Sequence, residues 1–220
     1  MTTFLTPNTY IKRAIQRLTL KQRIFVAIVL VSIFILMCQL MMWYIAALLL
    51  VLWTPCSIKY THYLIKKDTR LAIYFVFLAL QSIHMFEHIA QMVQIHLLFK
   101  AFNNSHGLFG AYLDVEWLHF FFDSLYIPLC TIWLLMLYNS RDKWLLILLP
   151  LALWHCAEHV VIMNYYLKTH IVGSPGILAH GGLIGSPISR PDLHFLYNLV
   201  EETFIVLGFR KQLHRRRQTI

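Results

Sequence analysis

Two copies of one five-residue pattern hold the residues best suited to chemistry in this chain. The first copy, HMFEH, occupies 84–88, and the second, HCAEH, occupies 155–159. Both read His-x-x-Glu-His, and both lie in apolar sequence. On a helix, positions i, i+3 and i+4 share one side, so each copy presents two imidazoles and a carboxylate in a geometry that suits a metal ion. Two copies, 71 residues apart, therefore predict metal binding.

The elements that must position these motifs are membrane helices. Of the 220 residues, 59% are hydrophobic and 13% are charged, and the mean hydropathy is +0.61. A soluble domain has about 25% charged residues. Apolar segments long enough to span a bilayer recur along the chain. They are 24–53, 71–99, 115–138, 144–167 and 193–209. We therefore predict an all-α integral membrane bundle with about five transmembrane helices.

The net charge of +9 does not indicate a nucleic-acid partner. The Lys and Arg residues lie in connections and tails, where they face lipid headgroups on the cytoplasmic side. Acidic residues fall inside the spans instead. They are Glu87, Asp123, Glu158, Glu201 and Glu202. Carboxylates inside a membrane are costly unless they are paired, protonated or bound to a cation, so the interior of the bundle is its acidic part.

Four segments organise the chain. Residues 1–23 are basic with apolar residues at helical spacing, which indicates an interfacial amphipathic helix or, alternatively, a plain basic tail. Residues 24–70 hold the first transmembrane helix and a cytoplasmic connection. Residues 71–138 form a first hairpin, and residues 139–220 form a second hairpin with a basic tail. No small-residue cleavage site follows the first apolar run, so we expect no removable signal peptide.

The loop charges predict an orientation. The connections 54–70 and 139–143 and the C-terminal tail are basic and should be cytoplasmic, whereas 100–114 and 168–192 should lie outside. Both flanks of the first span are basic, so its own orientation stays open. We expect a multi-pass protein of the plasma membrane with the metal site toward the outer face.

The two hairpins resemble each other beyond the motif. After the first copy, a helix opens with Leu-His-Phe at 118–120 and continues to Asp123. After the second copy, Leu-His-Phe at 193–195 continues to Asn198. The chain therefore contains an internal repeat, and repeats in membrane proteins often place their site at the repeat interface. Each of the four helices has a one-sided polar stripe that cannot face lipid, so the stripes should converge.

The residues that these stripes bring together are the candidate metal ligands. The histidines rank first, and they are His84, His88, His119, His155, His159 and His194. Glu87 and Glu158 follow, as ligands, bridges, general bases or partners that hold imidazole tautomers. Asp123 and Glu201 are further candidates. A structural hydrogen-bond network and a proton or ion pathway are the alternatives to a bound metal.

This ligand set is too large for one tetrahedral zinc and suits two metal ions. Nitrogen and oxygen ligands without thiolate are compatible with iron or copper, and zinc is an alternative. The His-x-x-x-His spacing within 84–88 and 155–159 resembles the histidine boxes of the membrane desaturases and hydroxylases, which hold two irons. The resemblance covers these short motifs alone. The boxes of that family lie toward the cytoplasm, whereas the loop charges here favour the outer side.

We expect an oxygen-activating oxidoreductase that acts on a hydrophobic small molecule such as a lipid, a hydrocarbon or a quinol. The chain has no nucleotide-binding motif, so electrons would come from a donor protein, a larger membrane complex or a quinol. One alternative is a metal-dependent hydrolase with Glu87 or Glu158 as general base. Another is a haem- or metal-binding subunit or a metal transporter.

Overall fold

A computed structural model of the chain describes residues 42–101, 104–110, 113–138 and 142–218, together with scattered positions between 19 and 32. The chain divides into two units, Met1–Met41 and Met42–Ile220. In the first unit the described positions from 20 to 32 are helical. Most of the predicted amphipathic segment 1–23, and the part of the first span at 33–41, lie outside the described residues.

Five long helices make up the described part of the second unit. They are α1 Met42–Ile65, α2 Thr69–Leu97, α3 Val115–Leu137, α4 Lys143–Thr169 and α5 Arg190–Gln218. The described residues contain no strand, which confirms the predicted all-α class. The last turn of α2 is π-helical, and so is a segment within α3, Phe120–Tyr126.

Three of these helices, α2, α3 and α4, are long and apolar enough to cross a membrane. They agree to within two residues at each end with the predicted segments 71–99, 115–138 and 144–167. The predicted fifth segment, 193–209, lies within α5, but α5 is not among these helices. Glu201 and Glu202 lie inside the segment, and Asp192 and Arg210 flank it directly. Of the five predicted spans, three therefore correspond to described helices that are long and apolar enough to cross a membrane.

Side-chain caps fix where the helices of the bundle begin. Asp68, Asp114 and Asp142 precede α2, α3 and α4, and each carboxylate accepts a hydrogen bond from the backbone N–H two residues later, at 2.9–3.0 Å. An aspartate at this position satisfies a free N–H group and complements the positive end of the helix dipole. Because the start of each helix is fixed, the position of its polar stripe along the axis of the bundle is fixed as well.

The bundle divides into an apolar end and a polar end. Helix α2 packs mainly on α5, and α4 packs on both α3 and α5. Buried apolar side chains fill the end where α2 and α4 begin and where α3 and α5 finish, among them Tyr74, Leu134, Leu148 and Ile205. The opposite end holds the buried histidines and carboxylates. A first loop, 98–114, joins α2 to α3 at this polar end, and a second loop, 170–189, joins α4 to α5.

Candidate metal centre

All six predicted histidines are buried at the polar end of the bundle, and none is more than 5% exposed. They fall into two imidazole groups. The first group, from α2 and α3, is His84, His88 and His119, and the second group, from α4 and α5, is His155, His159 and His194. Within each group the possible ligand atoms lie within 4.8 Å of one another. Each group could hold a metal ion.

In the first imidazole group the ring nitrogens converge. His84 Nε2 and His88 Nε2 are 3.2 Å apart. Two nitrogens bound to one ion at about 2.0–2.1 Å lie about 2.9–3.4 Å apart in octahedral or tetrahedral geometry, so this spacing fits a shared ion. The Nδ1 atom of His119 lies 2.7 Å from the backbone carbonyl of Val115. Because a carbonyl only accepts, Nδ1 carries the proton and Nε2 remains available to a metal.

The second imidazole group is just as tightly packed. Its ring centroids are 4.6–5.2 Å apart. Three of its ring nitrogens are buried without a polar partner among the described residues: Nε2 of His155, Nδ1 of His159 and Nε2 of His194. The Nε2 atom of His159 faces a carboxylate oxygen of Asp123. A buried polar atom without a partner costs about 1–3 kcal/mol. Nitrogens that converge in this state are suited to a metal ion, which would use their lone pairs.

Asp123 lies between the two imidazole groups. Its Oδ1 is 3.2 Å from His84 Nε2, and its Oδ2 is 3.0 Å from His159 Nε2. The residue is fully buried, and its close polar contacts in the described part of the chain are all with imidazole nitrogens. Asp123 belongs to the π-helical segment of α3, and π-helical turns are frequent at functional sites. One carboxylate therefore faces both groups.

A second carboxylate makes the two groups unequal. Glu201 Oε1 lies 3.1 Å from His155 Nδ1, and Asp123, His155 and Glu201 form a further set that could hold a metal. Near the first group the neighbour is an amide instead, since Asn198 Nδ2 lies 2.9 Å from His88 Nε2. The second group thus has two carboxylates within reach, whereas the first group shares Asp123 alone.

The two motif glutamates face the loops. The carboxylate of Glu87 accepts three backbone hydrogen bonds from the first loop, and that of Glu158 accepts two from the second loop, all between 2.6 and 3.1 Å. The donors are Leu108, Phe109 and Gly110 for Glu87, and Ile177 and Leu178 for Glu158. The spacing predicted both residues as metal ligands or general bases. Their carboxylates lie outside the three sets of converging ligand atoms and hold backbone N–H groups instead.

A glycine makes each of these loop clamps possible. We use loop clamp for a motif glutamate together with the backbone N–H groups that it binds. Gly107 has φ +68° and Gly176 has φ +74°, in the left-handed region. A Cβ at Gly107 would overlap with Glu87 Oε1, and one at Gly176 would lie 2.5 Å from Glu158 Oε2. Both glycines stand in a Ser-x-Gly-aliphatic sequence, at 105–108 and 174–177, which is the signal that could have revealed the clamps.

A cavity of about 370 Å³ opens beside the imidazoles on the loop side. Its lining comes from α2, α3, α5 and the two loops, and it includes three histidines of the imidazole groups, His88, His119 and His194, together with His106 of the first loop. One wall is a buried ion pair in which both guanidinium NH groups of Arg190 donate to the carboxylate of Glu116, at 2.5 and 2.8 Å. Because Glu116 and Arg190 lie in the first turns of α3 and α5, the pair joins the starts of the two helices that each supply a single histidine.

Comparison of the chain with protein-family models, with curated proteins and with solved structures gives no match. The assignment of function therefore rests on the site itself. That site is a buried set of six imidazoles with two carboxylates among them, reached by a cavity from the loop side.

Proposed function

We propose that this chain is an integral membrane metalloprotein with a dinuclear centre, in which each imidazole group binds one ion and Asp123 bridges the two. The observation that carries the proposal is the position of Asp123, whose two oxygens face different imidazole groups at 3.2 and 3.0 Å. A carboxylate has the two oxygens needed to join ions about 3.5–4 Å apart, the usual separation in two-metal sites.

Bound metal explains the buried charges of Asp123 and Glu201 better than a hydrogen-bond network does. The described ion-pair contacts of Asp123 and Glu201 are all with imidazoles, which are neutral unless protonated. Buried carboxylates need a cationic partner, all the more inside a membrane. Metal ions supply that charge and use the unpaired ring nitrogens at the same time.

We propose iron or copper as the metal and oxygen activation as the chemistry. A set of nitrogen and oxygen ligands without thiolate suits both metals. Zinc hydrolysis is supported less, because it needs a free general base near the ion and the carboxylates of Glu87 and Glu158 are engaged by backbone N–H groups. Haem is supported less, because adjacent imidazoles with ring centroids 4.6–5.3 Å apart leave no flat slot for a porphyrin.

The proposed protein works as an oxidoreductase on a hydrophobic small molecule in the outer part of the plasma membrane. Electrons come from a donor protein, a larger membrane complex or a quinol. Support for the orientation comes from the apolar packing at one end of the bundle, the polar site at the other, and the basic residues near the apolar end. The matching loop clamps support an internal repeat of two hairpins, α2–α3 and α4–α5.

The test is the metal content of the detergent-purified chain, with an absorption spectrum of the same sample. We expect about two equivalents of iron or copper, and loss of metal in His88→Ala and in His159→Ala. His62→Ala and His214→Ala change exposed histidines and should keep the full content. Oxygen uptake with a quinol then tests the reaction. A folded chain without metal would refute the proposal, and a colourless chain with one zinc would refute the oxidoreductase.

A further inference from the structure

The cavity meets the two imidazole groups unequally. Two of its lining histidines, His88 and His119, belong to the first group, and only His194 belongs to the second. The first group also has the smaller share of carboxylate, because Glu201 lies by His155 of the second group. An ion in the first group would therefore have fewer protein ligands and would face more of the cavity.

The deep end of the cavity has unused hydrogen-bonding capacity, whereas the charged pair in its wall is already satisfied. His88 and His194 each have a buried ring nitrogen without a hydrogen-bond partner in the described chain. By contrast, the wall residues Glu116 and Arg190 satisfy each other, and Gln91 donates to the Ser105 carbonyl. The groups that remain for a ligand are thus the imidazoles and whatever they bind.

The size and lining of the cavity limit what can enter. About 370 Å³ is near the lower end of the range for small-molecule sites, about 300–1,000 Å³. Apolar contacts come from Leu113, Val115 and Val172, and polar contacts come from the loops. Arg190 is balanced by Glu116, and Asp114 adds a carboxylate to the lining, so the wall has no net positive charge that would favour a multiply charged anion. The space fits a compact molecule with an apolar ring and one donor atom.

On these grounds, and resting on the metal site of the proposed function, we propose that the cavity is the chamber in which a small ring-containing molecule with a nitrogen or oxygen donor binds the ion of the first imidazole group. The molecule enters from the loop side of the bundle. Its donor atom would meet the ion from the side of the cavity that His88 and His119 line. Its ring rests on the apolar side chains near the loops.

The experiment uses the full chain loaded with cobalt(II), whose visible spectrum reports its ligands, and the neutral probe 4-phenylimidazole. Wild-type protein should show a saturable spectral change on titration. Val172→Trp places an indole in the chamber and should weaken binding of the probe at least tenfold with cobalt content unchanged. Ile171→Trp is the matched control, because Ile171 is similarly exposed, 57% against 45% for Val172, but does not belong to the cavity lining. It should bind the probe like wild type.

A second pair of variants keeps the test valid if Val172→Trp fails to fold. Leu113→Trp also fills the cavity and should weaken binding, whereas Leu183→Trp, at a side chain 77% exposed, should not. Equal probe affinity in the cavity-filling variants and in their controls would overturn the chamber. So would a cobalt-loaded chain whose spectrum ignores the probe. Failure of the wild type to bind cobalt would instead overturn the metal site itself, so the two failures are distinguishable.

Discussion

Replacing Gly107 with alanine should break the first loop clamp. The added Cβ would overlap with Glu87 Oε1, and the residue has φ +68°. A left-handed backbone costs an L-residue about 1–2 kcal/mol. The carboxylate must also move, and each hydrogen bond to a charged group that is lost costs about 1.5–3 kcal/mol. With one such bond lost, the free energy of unfolding should fall by about 2.5–5 kcal/mol.

Gly181→Ala separates the cost of the left-handed backbone from the cost of displacing the Glu87 carboxylate. Gly181 has nearly the same backbone conformation, φ +79°, but its Cβ would meet nothing closer than a Pro175 carbon at 4.0 Å. This variant should therefore lose only the backbone share, about 1–2 kcal/mol. The difference between the two variants, about 1.5–3 kcal/mol, measures the displacement of the glutamate.

Denaturant unfolding of the purified chain in detergent is the assay. Glu87→Ala and the double variant complete a double-mutant cycle, since Glu87→Ala removes the atom that the new methyl group would contact. The effects of Gly107→Ala and Glu87→Ala should then be less than additive by about the energy of the lost hydrogen bond. Equal destabilisation by Gly107→Ala and Gly181→Ala, or full additivity in the cycle, would refute the loop clamp.

Three further changes test the centre and its surroundings. Asp123→Asn removes the proposed bridge, so the bound metal should fall from two ions to one or fewer. The loss of metal affinity should be at least the 10–100-fold loss seen when residues that only support the ligands are removed. Retention of both ions, measured by mass spectrometry, would contradict the bridge. Asn198→Asp places a carboxylate where the amide lies 2.9 Å from His88 Nε2 and should tighten metal binding at the first imidazole group by about tenfold, or ~1.4 kcal/mol; a calorimetric titration without this gain would argue against an ion there. Arg190→Ala leaves the buried Glu116 carboxylate without its cationic partner and should cost about 3–5 kcal/mol of stability. Replacing both partners with apolar residues should cost much less. Similar unfolding midpoints for the single and double variants would rule out the buried ion pair.

The histidines of the motif were predictable because helical periodicity is a local property. Residues four apart lie about 40° apart around a helix of 3.6 residues per turn, so His84 and His88 must point the same way, and their nitrogens are 3.2 Å apart. The glutamate is different. Residues three and four after the first histidine lie about 100° apart, and this difference is enough to turn Glu87 away from His88 toward the first loop.

Asp123 could not be ranked from the sequence for a related reason. Periodicity assumes 3.6 residues per turn, but Asp123 lies in a π-helical segment that changes the register of α3. The spacing shows that an acidic residue follows His119, without showing that it reaches both imidazole groups. The loop clamps were also out of reach, since Glu87 and Gly107 are 20 residues apart and meet only through the conformation of the loop.

The loop clamps give a physical reason for a glutamate between two histidines that does not itself join the imidazole groups. Each loop leads directly into the helix that supplies the third histidine of its group, His119 after the first loop and His194 after the second. A loop held to Glu87 or Glu158 restricts where that helix can begin, and so where its histidine can lie. An ion that binds only the assembled group stabilises the closed loop by mass action. One helical turn can thus supply two ligands to a metal and hold the loop that places the third, so that in the proposed centre metal binding and loop closure reinforce each other.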